Sequence, residues 1–151
     1  MAHVRRKARI AALQTLYESD CSNHDTEKSL SWLREEYNLP EDVLGYAGEL
    51  AYGILKNRGR IDAVIQAHAP VFPLEQLSAI DRNILRLAIF EISIDNRVPP
   101  KAAINEAVEL AKAFGSNNSQ KFINGVLGTV STMSESSAKG GDSNKFISRR
   151  R

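Results

Sequence analysis

The sequence predicts an all-α fold, on three observations. Apolar residues recur every three or four positions along most of the first 130 residues, which is the spacing of amphipathic helices. Prolines and short polar stretches separate these segments, as expected between helices. Sustained alternation of apolar and polar residues between hairpin-type turns is missing, so a β-sheet is not expected. A chain of 151 residues with 42% hydrophobic and 25% charged residues is typical of one globular domain.

Two helices are predicted before the first proline. Apolar residues at helical spacing define a first helix of about Val4 to Ser19. The polar stretch 22–25 should end it. A second helix contains Leu30 and Leu33. It should stop before Pro40, because the residue ahead of a proline disfavours helical backbone.

A third helical stripe is predicted from Val43 to Ala69. Its apolar residues keep helical spacing throughout, and Gly59 within it is expected to kink or end the helix. Pro70 and Pro73 follow directly. Because proline removes a backbone donor and fixes the backbone angle φ, these two residues predict a loop.

Residues 84–92 predict a central, buried helix. Ser78 and Asp81 ahead of it resemble a capping box, with Asp in place of the usual Glu. The segment is apolar almost all round, as in helices surrounded by other elements. Glu91 is the exception, and a carboxylate at such a place is expected to pair with an arginine or a backbone donor.

Two further helices are predicted after residue 98. Pro99 and Pro100 mark the start of one of them. Gly115 is expected to end that helix in the left-handed conformation. Asn117, with Gln120 three residues on, is expected to cap the last helix.

The apolar pattern ends at Val130, and residues 131–151 form a different kind of segment. They include six serines, two adjacent glycines and three terminal arginines. A segment of this composition cannot bury enough apolar surface to fold. The sequence therefore predicts a helical domain over residues 1–130 and a disordered, Ser-rich, basic tail over residues 131–151.

The motifs of common enzymes and cofactor sites are missing from the sequence. It contains no Gly-rich phosphate loop, and its three histidines are far apart. The acidic pairs, such as Glu106 with Glu109, have the spacing of solvated helix faces. We therefore expect no catalytic residue, no metal site and no cofactor. The single cysteine, Cys21, cannot form an internal disulfide, and the basic start has no apolar stretch behind it, so a cytoplasmic protein without a membrane segment is expected.

Basic residues are concentrated at the start of the first helix. Arg5, Arg6, Lys7 and Arg9 lie within five residues, although the net charge is only +2. Arg5 and Arg9 are one turn apart and are expected to form a phosphate clamp, with Arg6 beside them. The alternative is a solvated basic face without an RNA contact.

Aromatic side chains accompany the basic residues at two places. Tyr17 lies two turns beyond Arg9 and offers a ring on which a base can stack. Lys121 and Phe122 repeat the combination of charge and ring near the start of the last helix. For both rings the alternative is packing in the core.

Three segments together resemble the NusB family. They are residues 5–17, residues 84–92, and the string from Val98-Pro99 through Phe114-Gly115 to Leu127. The resemblance covers about residues 5–130. It implies two packed three-helix bundles and binding of boxA-type single-stranded RNA in ribosomal-RNA transcripts. The implied partners are the NusE-type small-subunit ribosomal protein and an RNA polymerase antitermination complex, and some relatives form homodimers.

The resemblance also implies which residues contact RNA. The residues that match are Arg5, Arg6, Arg9, Tyr17, Asn118, Lys121 and Phe122. Many relatives carry an acid at the position of Asn118. The neutral amide here removes a negative charge near the implied RNA path, which should favour RNA binding.

Two other functions fit the same residues. The first is the detached RNA-binding module of a ribosomal-RNA cytosine methyltransferase, since such enzymes carry a similar helical domain before the catalytic one. The second is a helical adaptor that binds only protein. RNA affinity and its salt dependence separate the adaptor from the RNA-binding alternatives.

Overall fold

The computed structural model describes residues 2–69 and 73–144, and their side chains over 3–69 and 73–131. Seven α-helices make up nearly all of this part of the chain. They are α1 (Ala2–Ser22), α2 (Thr26–Tyr37), α3 (Glu41–Lys56), α4 (Arg58–His68), α5 (Ala79–Phe90), α6 (Pro100–Phe114) and α7 (Ser119–Asn144). A short 3-10 turn, Leu74–Gln76, precedes α5, and a π-helical turn, Glu91–Asp95, follows it. The described residues include no β-strand, which confirms the predicted all-α class.

The helices pack as two groups around α5. Helices α1, α2 and α3 enclose a small apolar cluster of their own. Helices α5, α6 and α7 form the second bundle, and α4 packs against α5 and α7. Every residue from Asn83 to Phe90 is buried, because α5 contacts helices of both groups. The predicted pair of three-helix bundles and the predicted central helix are both confirmed, with α4 as an addition to the second bundle.

Ion pairs at two places join α1 to the second group of helices, one of them buried and the other partly buried. The guanidinium of Arg9 donates to both carboxylate oxygens of Glu91, with nitrogen–oxygen distances of 2.8 to 3.2 Å. At the other end of α1, Asp20 accepts from Arg82 at 2.9 Å and from Arg86 at 3.1 Å. The expected pairing of Glu91 with an arginine is therefore confirmed.

The start of α5 is tied to the start of α7. Ser78 Oγ accepts a hydrogen bond from the Asp81 amide at 3.1 Å, so the predicted N-cap is present. The Asp81 carboxylate accepts from Ser119 Oγ at 2.7 Å. The acid of the predicted capping box is thus used to fix α7 on α5.

Two predicted helix boundaries were wrong, and so was the backbone conformation predicted for Gly115, although α6 does end there. The break between α3 and α4 lies at Asn57, whose side-chain amide donates to the Gly53 carbonyl at 2.7 Å, and Gly59 is an exposed residue inside α4. Gly115 has φ −92° and ψ −170°, which is extended and not left-handed. Helix α7 begins at Ser119, so Asn118 and not Asn117 precedes it.

The close contact between Gly115 and Ser119 explains why a glycine stands at the end of α6. A Cβ at Gly115 would lie 2.5 Å from Ser119 Oγ and 2.8 Å from the Ala111 carbonyl oxygen. Ser119 Oγ accepts from the Ser116 amide at 2.9 Å in the same turn. Glycine is needed here because the chain passes too close to its neighbours for a side chain, and not because of a positive φ.

The backbone of α7 is helical as far as Asn144. Side chains are described only to residue 131, and Val130 is the last buried apolar residue among them. The sequence contains no proline after residue 100, and its two adjacent glycines are at 140 and 141. The predicted boundary between a domain over residues 1–130 and a tail over residues 131–151 stays a prediction. Residues 145–151 lie outside the described residues, as does the predicted loop residue Pro70.

Candidate nucleic-acid interface

The basic end of α1 meets α6 and the start of α7 at a shallow groove. Arg6 lines this groove from α1, and Lys121 lines it from α7. Both side chains are exposed, although 115 positions separate them in the sequence. Amide side chains complete the wall, from Asn105, Gln120 and Asn124. We call this surface the Arg6–Lys121 groove.

A carboxylate holds Arg6 in place within the groove. Arg6 donates to the two oxygens of Glu106 at 2.7 and 3.1 Å, while the Arg6 side chain remains 60% exposed. The hydrogen bond from Arg6 lowers the pKa of Glu106, so this carboxyl stays ionised at neutral pH. Glu109 lines the groove as well. The groove thus presents two cations and two anions, and an RNA phosphate has to compete with Glu106 for Arg6.

The sequence does not reveal that Glu106 binds an arginine. Its spacing from Glu109 predicts a solvated helix face, which is correct for the exposed Glu109 but not for the partly buried Glu106. Glu106 is bound to Arg6 and lies 3.8 Å from Arg9. No local signal could have revealed this contact, because its partner is 100 residues away.

The predicted phosphate clamp of Arg5 and Arg9 is not formed. The Arg9 side chain is 5% exposed and is bound to Glu91 through three hydrogen bonds. Positions i and i+4 do share one side of α1, but this side faces the other helices and not solvent. Arg9 therefore joins the two helix groups, and its guanidinium is not presented to a ligand.

Arg5 lies on a different side of α1 from Arg6 and lines another groove. It is half-buried, with its Cζ atom 5.9 Å from the centre of the Tyr46 ring on α3. Its Nε atom is buried without a hydrogen-bond partner among the described residues. Arg5 and Arg6 are adjacent in sequence, so α1 presents one arginine to each side.

Tyr17 shares a face of α1 with Arg6. Eleven residues separate them, which corresponds to about 16 Å along the helix and a rotation of about 20°. The Tyr17 side chain is 38% exposed, and Ile10 between the two is 39% exposed. The Tyr17 ring is therefore accessible for stacking of a base, about 16 Å from Arg6 along the helix axis.

Asn118 and Phe122 differ in their surroundings. Asn118 is exposed immediately before α7, and its carbonyl accepts from the Phe122 amide at 3.1 Å. Phe122 is half-buried and packs against the main apolar core. Most of the Phe122 ring is therefore used for packing in the core, which was the alternative to RNA contact. Asn118 lies about one turn before Lys121, near the groove.

Other kinds of site find no support in the described part of the chain. Over residues 3–69 and 73–131, no three His, Cys, Asp or Glu side chains are grouped so that they could hold a metal ion. In the same part of the chain, no helix has the length and apolar character needed to cross a membrane.

Comparison with known proteins points to one family. The model of the NusB family matches residues 6–132. The chain is 50% identical over 139 residues to the transcription antitermination protein NusB of Dehalococcoides mccartyi strain 195, an alignment that covers 92% of this chain and 97% of that protein. It is 43% identical over 132 residues to the protein of the same name from Roseiflexus sp. strain RS-1, covering 86% of this chain and 93% of that protein.

Solved structures of similar fold include two that bear the same family name. The structure of T. maritima NusB superposes with a TM-score of 0.78 at 32% identity, covering 85% of this chain and 90% of that chain. A crystal structure of the antitermination factors NusB and NusE in complex with double-stranded RNA contains a chain with a TM-score of 0.80 at 27% identity, covering 88% of this chain and 99% of that chain.

Proposed function

This chain belongs to the NusB family, and from that membership we propose that it is an RNA-binding transcription antitermination factor. Its ligand is boxA-type single-stranded RNA in ribosomal-RNA transcripts. It binds this RNA together with the NusE-type ribosomal protein, in keeping with the NusB and NusE complex that its fold matches. The heterodimer then joins an RNA polymerase antitermination complex. It acts by binding and not by catalysis, in the cytoplasm where bacterial transcription takes place.

The observation that carries the RNA-binding proposal is the Arg6–Lys121 groove. Two exposed cations, distant in sequence, line one surface at the basic end of α1. Cations on adjacent elements bind successive phosphates of a nucleic-acid strand. The exposed ring of Tyr17 lies further along the same face of α1 and offers a stacking surface for a base.

Asn118 favours RNA binding at the same surface because its side chain is uncharged. It lies just before α7, where the first amides of the helix carry a partial positive charge that favours phosphate. An amide at this position leaves that charge available. We therefore place the RNA path across Arg6, Lys121 and Asn118, with Phe122 acting mainly as the core residue that orients Lys121.

The length of the relatives favours a free-standing factor over a methyltransferase module. The alignment with the Dehalococcoides protein covers 97% of that protein, which leaves no room in it for a catalytic domain. The protein-only adaptor is the remaining alternative, and it requires that the groove has no affinity for RNA.

One titration tests the proposed function. Fluorescence anisotropy would measure the Kd for a boxA-type RNA and for a scrambled RNA of the same composition, with and without the NusE-type partner. We expect tighter binding of the boxA-type RNA and a further gain when the partner is present. Equal affinity for both RNAs, with and without the partner, would contradict the proposal. The protein-only adaptor would then be the remaining function. Arg6→Ala should weaken binding, whereas Lys28→Ala, which removes an exposed lysine of α2, is the matched control.

A further inference from the structure

A second groove lies on the other side of α1, next to Arg5. Its wall on α3 consists of Asp42, Gly45, Tyr46 and Glu49, which occupy positions i, i+3, i+4 and i+7 of one helix face. Val4 and Arg5 close it from α1, and Arg97 closes it from the turn before α6. We call this surface the Tyr46 groove.

Two arginines flank the Tyr46 ring. The Arg97 Cζ atom lies 4.6 Å from the ring centre, and that of Arg5 lies at 5.9 Å. Arg97 is held in position by Asp95, at 2.9 Å, and by Glu49, at 2.8 Å. The Arg97 side chain is nevertheless 43% exposed. An oriented guanidinium plane with accessible surface is a platform on which nucleobases stack.

The charges of the Tyr46 groove balance. Arg5 and Arg97 are cationic, and Asp42 and Glu49 are anionic. A simple anion would use only the two arginines of this groove and leave both carboxylates without a donor. A neutral, planar ligand that carries both donors and acceptors fits this set better, because the carboxylates only accept and the arginines only donate.

Two residues that line the same groove carry buried polar atoms without partners. Among the described residues, neither Arg5 Nε nor the Tyr46 hydroxyl has a hydrogen-bond partner, although both atoms are buried. Burial raises the pKa of Tyr46, so its hydroxyl keeps its proton and remains a donor. Buried polar groups are normally paired, which makes unpaired donors beside an open groove a sign of a missing ligand.

Gly45 leaves part of the groove wall without a side chain. A Cβ built on this residue has no atom within 4 Å, so the helix tolerates a side chain there and the space beside it is empty. The groove is therefore open to a ligand next to Gly45.

We propose that the Tyr46 groove binds one guanine base, stacked on the Arg97 guanidinium. The imino and amino groups of guanine would donate to the carboxylates of Glu49 and Asp42, and its carbonyl oxygen would accept from Arg5. This edge pattern of two donors and one acceptor distinguishes guanine from uracil and adenine. The inference rests on the proposed function, since Arg5 and Arg6 are adjacent and an RNA strand on the Arg6–Lys121 groove can cross α1 to reach this site. The base belongs either to that RNA or to a free guanine nucleotide.

Inosine scanning of the boxA-type RNA tests the site. Inosine lacks the 2-amino group of guanine, so replacing each guanosine in turn removes one donor at a time. With the unmodified protein we expect about tenfold weaker binding at one position, the loss typical of a hydrogen bond to a charged group. Glu49→Gln should abolish this discrimination, whereas Glu35→Gln, an exposed glutamate of α2, should preserve it.

A second pair of variants separates the site from the fold. Gly45→Leu fills the groove without meeting other atoms at Cβ and should also abolish discrimination, while Gly45→Ala should keep it. Arg97→Lys keeps the charge but loses the stacking plane, and should weaken binding of that guanosine. Circular dichroism and thermal melting of each variant would show that the helices are intact.

Titration with guanosine monophosphate identifies the source of the base. Binding that depends on Glu49 and is displaced by the RNA assigns the base to the RNA, whereas undisplaced binding assigns a free nucleotide. The proposal is overturned if no guanosine is discriminated and the mononucleotide does not bind, or if Glu49→Gln and Gly45→Leu leave discrimination unchanged. Failure of the proposed function looks different, because the boxA-type RNA would then bind no better than the scrambled one.

Discussion

The Arg6 guanidinium is bound by both carboxylate oxygens of Glu106, at 2.7 and 3.1 Å, at the edge of the groove where RNA is proposed to bind. The exposed arginine of α1 is therefore already paired when RNA is absent. Glu106 both orients Arg6 and competes with a phosphate for it. This contact sets the affinity of the groove and gives the first prediction.

Glu106→Gln should tighten RNA binding. The substitution removes a negative charge beside Arg6 and Lys121 but keeps the shape of the side chain. Since solvent screens a pair with so exposed a partner, we expect a modest, few-fold gain in affinity that is largest at low salt. Glu109→Gln is the matched control, because it removes the same charge from the same groove without breaking that hydrogen-bonded pair. Equal gains in affinity in both variants would show that the hydrogen bonds between Glu106 and Arg6 do not limit RNA binding.

The pair of Arg6 and Glu106 also predicts a pH dependence of stability. The hydrogen bond from Arg6 lowers the pKa of Glu106. A folded pKa below the unfolded value of about 4.3 means that the pair stabilises the protein above that pH and loses its effect as pH falls through the folded value. The difference in melting temperature between the unmodified protein and Glu106→Gln should be small and constant near neutral pH. It should shrink below about pH 4.

Arg9→Ala should destabilise the protein. The substitution leaves the carboxylate of Glu91 buried without its cation, and loss of one partner of a buried pair costs about 3–5 kcal/mol. Replacing both residues by Met should recover much of this loss, since the buried charge is then gone. Arg6→Ala, on the same helix, should leave the melting temperature nearly unchanged because Arg6 is exposed. If the Arg9→Ala protein has an unchanged melting temperature but binds RNA more weakly, Arg9 contacts RNA and does not mainly stabilise the fold.

Deletion of residues 131–151 should leave the melting temperature nearly unchanged. The apolar spacing of the sequence ends at Val130, which is also the last buried apolar residue among the side chains described up to residue 131. RNA affinity should fall modestly, because Arg149, Arg150 and Arg151 are lost and cations near a phosphate chain add to its attraction. A truncated protein that unfolds without cooperativity would place the domain boundary beyond residue 130.

Asn118→Asp should weaken RNA binding without harming the fold. A carboxylate at the start of α7 is locally favourable because the helix amides are partly positive there. The same carboxylate would repel an RNA phosphate by about 1 kcal/mol at a separation of roughly 6–8 Å, which is near fivefold in affinity. Added salt should reduce the difference between the two forms. If both bind RNA equally at low salt, Asn118 lies off the RNA path.

The sequence predicted the elements well because their signals are local. Spacing of apolar residues in α1 to α7 and the prolines at 40, 99 and 100 depend only on neighbours along the chain. The burial of α5 could also be predicted, since apolar residues lie on nearly all sides of this helix.

The pairing of the charged residues could not be predicted in the same way. Arg5, Arg6 and Arg9 form one basic cluster in the sequence. In the fold each has a different neighbour: the Tyr46 ring, Glu106 and Glu91, respectively. The partners of Arg6 and Arg9 lie 100 and 82 residues away, so only the packing of α1 on α6 and on the π-helical turn determines them. Gly115 is a different case, because its close neighbours Ala111 and Ser119 are local, but the path of the turn between α6 and α7 and not the residue types brings them close.

The salt dependence of boxA-type RNA binding tests the central claim, that the Arg6–Lys121 groove holds RNA phosphates. The logarithm of the binding constant falls with the logarithm of salt concentration, with a slope of about 0.7 per phosphate contact in single strands. We expect Arg6→Ala with Lys121→Ala to weaken binding and to flatten this slope by about 1.4, twice the single-contact value. The Lys28→Ala control should change neither quantity. An unchanged Kd and slope in the double variant would show that RNA phosphates do not bind in this groove.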